Sequence, residues 1–153
     1  MYEEPDIVEG PTGLWSLVRD WPVAVPLALR ELDDEAFRVV RLEERLSLVT
    51  TRRYVSTPSN PICDGPSWAP LSLLGIRLLV ASVFHDQWYM CLERIAAAWG
   101  VRPGVARLAG DRVFREIVIL DNAGRPLARP VAWSAYGAVR VFGGEYHRRR
   151  LGA

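Results

Sequence analysis

One imidazole and three carboxylates are the side chains of this sequence best suited to chemistry. They are Asp64, His85, Asp86 and Asp111. Together they could bind a divalent metal ion that activates water, or a carboxylate could orient His85 as a general base. On a regular helix the side chains of His85 and Asp86 diverge by about 100°, so both reach one ion only if the helix breaks there. The spacing therefore favours Asp64, His85 and Asp111 as catalytic or metal-binding candidates, and leaves Asp86 for a backbone or arginine partner.

The same residues also fit a structural role. His85 lies on the apolar face of a predicted helix, and a buried imidazole needs hydrogen-bond partners, which Asp64 or Asp111 could supply. Such a network would latch a proline-rich loop onto the helices and fix one conformation. We expect this polar latch to comprise Asp64, Ser67, His85, Asp86 and Asp111, with the catalytic or metal site as the alternative. No cofactor is expected, although a divalent metal fits the alternative.

The strands, loop and helices that must position these residues can be predicted from changes in residue composition along the chain. A length of 153 residues suits a single domain. Residues 1–56 contain short β-branched runs, and residues 37–41 and 46–50 predict a hairpin. Residues 57–70 are too dense in proline for a helix or a central strand, and predict a long loop. Residues 71–146 are predicted to be helical, and residues 147–153 form a short basic tail.

Three helices are predicted after the loop. Apolar residues at helical spacing predict the first over about residues 72–99, with a break near Gln87 as an option. Pro103 suits the first turn of the second helix, which runs to about Leu120. The third covers about residues 131–142 and is predicted to end at Gly143 and Gly144. The predicted fold class is α+β, with an N-terminal antiparallel β hairpin or small sheet packed against about three C-terminal helices.

Composition narrows the function classes. The net charge is +1, so no overall field draws the protein to nucleic acid, and nucleic-acid binding is not expected despite a basic run at residues 148–150. All 19 basic residues are arginine and there are six tryptophans, and both residue types anchor protein interfaces. The only cysteines, Cys63 and Cys91, predict neither a disulfide framework nor a zinc site. No signal peptide or membrane span is expected.

Four short motifs follow one another along the chain. They are Asp-Gly-Pro-Ser-Trp-Ala-Pro at 64–70, His-Asp-Gln-Trp-Tyr at 85–89, Gly-Asp-Arg-Val-Phe at 110–114 and Tyr-Gly-Ala-Val-Arg-Val-Phe-Gly at 136–143. In order and spacing they resemble the phage and prophage family catalogued as domain of unknown function 1353, over about residues 50–146. Cys63, Pro66 and Gly110 depart from the family pattern. The resemblance implies a phage origin and a β-then-α layout, but no reaction, because the family's role is itself unassigned.

Resemblance and composition lead to one expectation of function. We expect a phage-encoded virion structural or assembly accessory protein, associated with the tail or baseplate and acting through protein–protein contacts. Its partners would be other phage structural proteins or further copies of itself, and it would pass from the host cytoplasm into the particle. The alternative is a small phage hydrolase, with or without a metal ion, that acts on the cell wall through Asp64, His85 and Asp111.

Overall fold

The computed structural model describes residues 74–143 in full, and outside that range the backbone of six short strands, the buried Leu32 and the continuation of the last helix. The helices are α1 (Leu79–Met90), α2 (Leu92–Trp99), α3 (Pro103–Asp121) and α4 (Ala128–Arg150). The strands are β1 (Ile7–Glu9), β2 (Trp15–Leu17), β3 (Trp21–Ala24), β4 (Leu32–Asp33), β5 (Phe37–Leu42) and β6 (Arg45–Thr50). Pairing is antiparallel, with β1 beside β2 and the others in the order β3-β6-β5-β4.

The packed body between residues 74 and 143 is helical and contains no sheet. The predicted α+β class, in which an N-terminal hairpin or small sheet packs against about three helices, is therefore wrong. Four helices form this body, and α3 contacts each of the other three. The apolar faces of the helices cover one another around α3, and Leu32 of β4 packs into the same core. The loop at 57–70 and the tail at 151–153 lie outside the described residues.

The core is centred on α3. Val113, Ile117 and Val118 are each 0% exposed, and Phe114 beside them is 3% exposed. Aromatic side chains of α1 and α2 complete the core, with the ring centroids of Phe84 and Trp88 5.6 Å apart. Because these large side chains of α3 are buried against neighbouring helices, α3 forms the centre of the helical body. None of the described helices is long and apolar enough to cross a membrane.

The boundary between α1 and α2 lies at Cys91, four residues after the break that the sequence suggested at Gln87. The Cys91 amide donates to the carbonyl oxygens of both Gln87 and Trp88, each at 3.2 Å. This shared bond ends one helix and lets the next begin in a new direction. Residue Gly100 closes α2 in the left-handed conformation, with φ of 61°.

Two glycines allow helices to approach closely. A Cβ atom on Gly110 of α3 would lie 2.2 Å from Cδ1 of Trp88, whose Nε1 donates to the Ala106 carbonyl at 3.0 Å. A Cβ atom on Gly143 would lie 2.9 Å from the Tyr89 hydroxyl. The predicted helix end at Gly143 is therefore wrong, because α4 continues to Arg150 and this glycine makes room for a neighbouring side chain.

The segment before α1 is fixed to the end of α3 by one buried amide. The amide oxygen of Asn122 accepts from the Arg77 N–H at 2.8 Å, and its nitrogen donates to the Arg77 carbonyl at 2.8 Å. The same nitrogen donates to the Val118 carbonyl at 2.9 Å. Arg77 also forms an ion pair with Asp121 at 3.1 Å. These bonds fix the chain where it enters α1 to the end of α3.

Candidate functional site

Helical spacing places five polar side chains at one point between α1, α3 and α4. His85 and Tyr89 are one turn apart on α1, and Arg107 and Asp111 are one turn apart on α3, so each pair shares a helix face. Arg140 reaches the same point from α4. Asp111 lies at the centre with 0% of its surface exposed. We call this group the Asp111 network.

Both carboxylate oxygens of Asp111 are engaged. Oδ1 accepts from Nε2 of His85 at 3.0 Å and from the hydroxyl of Tyr89 at 2.8 Å. Oδ2 accepts from Nη1 of Arg140 at 2.7 Å. Nε of Arg107 lies 3.8 Å from the same oxygen. Three donors and a second nearby cation compensate a buried negative charge that would otherwise be very costly.

Arg107 extends the network to the backbone of α4. Its Nε donates to the hydroxyl oxygen of Tyr89 at 2.8 Å, so this hydroxyl accepts one hydrogen bond and donates another to Asp111. Its Nη2 donates to the carbonyl oxygens of Val139 at 2.9 Å and of Arg140 at 2.7 Å. One guanidinium therefore connects a side chain of α1 with the main chain of α4.

The His85 ring lies between two carboxylates and two aromatic rings. Its Nδ1 is 3.9 Å from Oδ1 of Asp86, on the side opposite Asp111. Its centroid is 4.2 Å from the ring of Tyr89 and 5.1 Å from the ring of Phe114. The His85 side chain is only 10% exposed. The ring is thus held by packing as well as by hydrogen bonds.

Burial and charge act against each other on the pKa values of the network. Burial lowers the pKa of His85, but the hydrogen bond with Asp111 and the nearby carboxylate of Asp86 outweigh this, and the pKa is raised above 6.5. Burial raises the pKa of Asp111, but hydrogen bonds from His85 and Arg140 outweigh it, and the pKa is lowered. Burial, and then the charge of Asp111, raise the pKa of Tyr89. Asp111 therefore stays ionised and Tyr89 neutral over the physiological range.

The geometry suits fastening the helices better than catalysis. A general base must reach a proton of the substrate, whereas Nε2 of His85 faces Asp111 and Nδ1 faces Asp86. Asp111 itself has no contact with solvent. Within residues 74–143, no group of three or more His, Cys, Asp and Glu side chains could hold a metal ion.

The structure places three of the five residues predicted for the polar latch. His85 and Asp111, 26 residues apart in the sequence, are hydrogen-bonded to each other. Asp86 lies beside His85, with Oδ1 3.9 Å from Nδ1 of that ring. Asp64 and Ser67, in the proline-rich loop, lie outside the described residues. Their place in the latch stays a prediction.

Tyr89, Arg107 and Arg140 belong to the Asp111 network but are absent from the predicted latch. A local signal existed for two of them, because Tyr89 follows His85 by four residues and Arg107 precedes Asp111 by four. Arg140 carried no such signal, because it lies on a different helix, 29 residues after Asp111.

A second cluster lies on the outside of α3 and α4. Cζ of Arg115 is 4.2 Å from the centroid of the Trp133 ring, and the ring of Tyr136 meets that indole edge-on at 5.7 Å. Trp133 is nevertheless 56% exposed. Arg112, one turn before Arg115, and Arg129, one turn before Trp133, are exposed as well. We call these five residues the Arg–Trp surface.

Charges within this surface are unevenly compensated. Arg115 pairs with the adjacent Glu116, with Nε 2.9 Å from Oε1. Within residues 74–143 no ion pair involves Arg112 or Arg129. The Arg–Trp surface therefore contains two exposed cations without a carboxylate partner among these residues.

Comparison with known proteins identifies no relative. No family model, no curated protein and no solved structure matches the chain. The resemblance to domain of unknown function 1353 therefore stays a prediction that rests on the four motifs. Any function must be inferred from the Asp111 network, from the Arg–Trp surface and from that resemblance.

Proposed function

We propose that the protein is a phage-encoded structural or assembly accessory component of the virion, associated with the tail or baseplate, that acts through protein–protein contacts. The observation that carries the contact role is the exposure of Trp133, which keeps 56% of its surface in water although Arg115 packs on its ring. Tryptophan and arginine are the residues most often found at the energetic centre of protein interfaces. An ordered, exposed pair of this kind suits recognition.

The buried polar residues agree with this proposal. The Asp111 network joins α1, α3 and α4 through hydrogen bonds and charge pairs, and so supports a rigid helical body. A rigid body loses little conformational entropy when it binds, which favours a role in assembly. The phage setting and the tail or baseplate location rest on the motif resemblance alone.

The alternative hydrolase would use Asp64, His85 and Asp111. The contact between His85 and Asp111 at 3.0 Å has the geometry of a base and its orienting acid. Asp111 also accepts from Tyr89 and Arg140, however, and its 0% exposure keeps substrate and water away from it. The described contacts therefore favour the structural role of the pair.

Co-purification with intact particles tests the proposal. Particles produced from a host strain that encodes this chain should contain it in a fixed stoichiometry, measured by quantitative mass spectrometry after density-gradient purification. A variant with Trp133→Ala should be incorporated less than a matched Val105→Ala variant, because Val105 is also exposed but lies near the start of α3. Absence from the particles, together with hydrolysis of cell-wall substrate by the purified protein, would refute the proposal.

A further inference from the structure

Charge is divided unequally along the chain. Residues 74–143 carry nine arginines and five carboxylates, a net charge of +4, whereas residues 1–73 carry seven arginines and twelve carboxylates, a net charge of −5. Residues 144–153 contribute a further +2, and the resulting overall charge of +1 conceals this asymmetry. Opposite charges on two parts of one sequence allow copies of that sequence to attract one another.

Residues 74–143, which carry the net positive charge, combine exposed arginines with an exposed tryptophan on the Arg–Trp surface. On the Arg–Trp surface, Arg112 lies one turn before Arg115 on α3 and Arg129 one turn before the half-exposed Trp133 on α4, and both arginines are exposed. Arg115 covers one region of that indole, and its own charge is balanced by Glu116. The cations left to attract a partner are therefore Arg112 and Arg129. An occupant of matching chemistry has carboxylates at its rim and an apolar side chain at its centre.

The Arg–Trp surface is open to solvent in the structure. Trp133 keeps 56% of its surface accessible in the folded single chain, and Arg112 and Arg129 are exposed in the same structure. We propose that the Arg–Trp surface binds the acidic N-terminal part, residues 1–73, of a second copy of this protein. This inference rests on the proposed function, since it specifies one of the protein–protein contacts through which the protein acts.

Binding between two different parts of one sequence is a head-to-tail contact. Each copy then offers one unused Arg–Trp surface or one unused acidic part, so that further copies can be added. Such contacts close into rings or extend into filaments. Salt should weaken the contact, because exposed charges attract over only about 10 Å at 0.1 M ionic strength.

Sedimentation of the purified full-length chain at micromolar concentrations tests the inference. We expect oligomers at low salt that dissociate at high salt. Trp133→Ala and Arg129→Glu should each weaken the association by about tenfold or more. Arg102→Glu is the matched control, because Arg102 is also an exposed arginine and precedes the start of α3, ten residues before Arg112. It should leave the association within about twofold of the parent.

Three results would overturn the inference. They are a monomer at every concentration and salt, an association that Arg102→Glu weakens as much as Arg129→Glu does, and an oligomer that nuclease treatment dissolves. The last would assign the surface to nucleic acid. Circular dichroism of each variant shows whether α1–α4 are retained. A protein that is monomeric when purified but present in particles would refute this contact and leave the proposed function standing.

Discussion

Replacement of Asp111 by asparagine preserves the size of the side chain but removes its charge and one acceptor oxygen. The amide oxygen can still accept from His85 and Tyr89 in the position that Oδ1 occupies. The amide nitrogen must then face Nη1 of Arg140, which is 2.7 Å from Oδ2. Two N–H donors would then meet with no acceptor between them, so the hydrogen bond between Arg140 and residue 111 is lost.

The magnitude follows from the burial of the two partners. Removing one member of a buried ion pair costs about 3–5 kcal/mol, because the other charge is left without compensation. The Arg140 side chain is 34% exposed and can turn toward water, so we expect the lower end of this range, about 3 kcal/mol. For a chain of this size that corresponds to a fall in Tm of roughly 6–12 °C.

Urea unfolding followed by circular dichroism measures this change directly. The matched control is Asp86→Asn, the same chemical change at a carboxylate that is 23% exposed and 3.9 Å from Nδ1 of His85. The control should lose less than about 1 kcal/mol. Unchanged or higher stability of Asp111→Asn would contradict a fastening role, because it is catalytic carboxylates whose neutralisation often leaves a fold as stable as before or more so.

Two further predictions concern packing and pH. Gly110→Ala should destabilise the protein by about 1–3 kcal/mol despite the higher helix propensity of alanine, since the new methyl group meets the Trp88 indole. Gly137→Ala is the control, because a Cβ atom there would have nothing within 4 Å. It should stabilise the protein by about 0.5–1 kcal/mol in the same unfolding assay. The difference in unfolding free energy between the parent and Asp111→Asn should be greatest between about pH 4 and 6.5. It should fall at lower pH because the pKa of Asp111 is lowered from 3.8, and it should fall as pH rises through the raised pKa of His85. A difference that stays constant from acid to alkaline pH would contradict this coupling.

The sequence determined the local features of the helical body. Proline at residue 103 begins α3, as its fixed φ and missing N–H predict, and the turn after Asp121 separates α3 from α4. The residue type of His85 indicated a need for a polar partner, because a buried imidazole requires one, and left Asp64 and Asp111 as the candidates. These inferences hold because helix periodicity, capping and hydrogen-bonding capacity are properties of short stretches of chain.

Contacts between helices were decided only by the tertiary structure. The sequence suggested that Gly143 ends a helix, but the structure uses it to admit Tyr89. The sequence also gave no reason to join Arg140 to Asp111, which lies 29 residues earlier on another helix. Both residues have roles that depend on a neighbouring helix. A glycine that breaks a helix and a glycine that makes room for a side chain look the same in one sequence.

The difference between local sequence patterns and long-range contacts also explains the error in fold class. Strand-forming runs before residue 51 and apolar helical faces after residue 71 were both visible in the sequence, and a sheet packed on helices was the simplest way to bury the two together. In the structure α3 buries its sides against α1, α2 and α4, so residues 74–143 form a helical body without a sheet. Periodicity shows which residues are to be buried. Which surfaces bury them depends on helix directions, and these are set by long-range contacts such as those of Asn122 and Asp111.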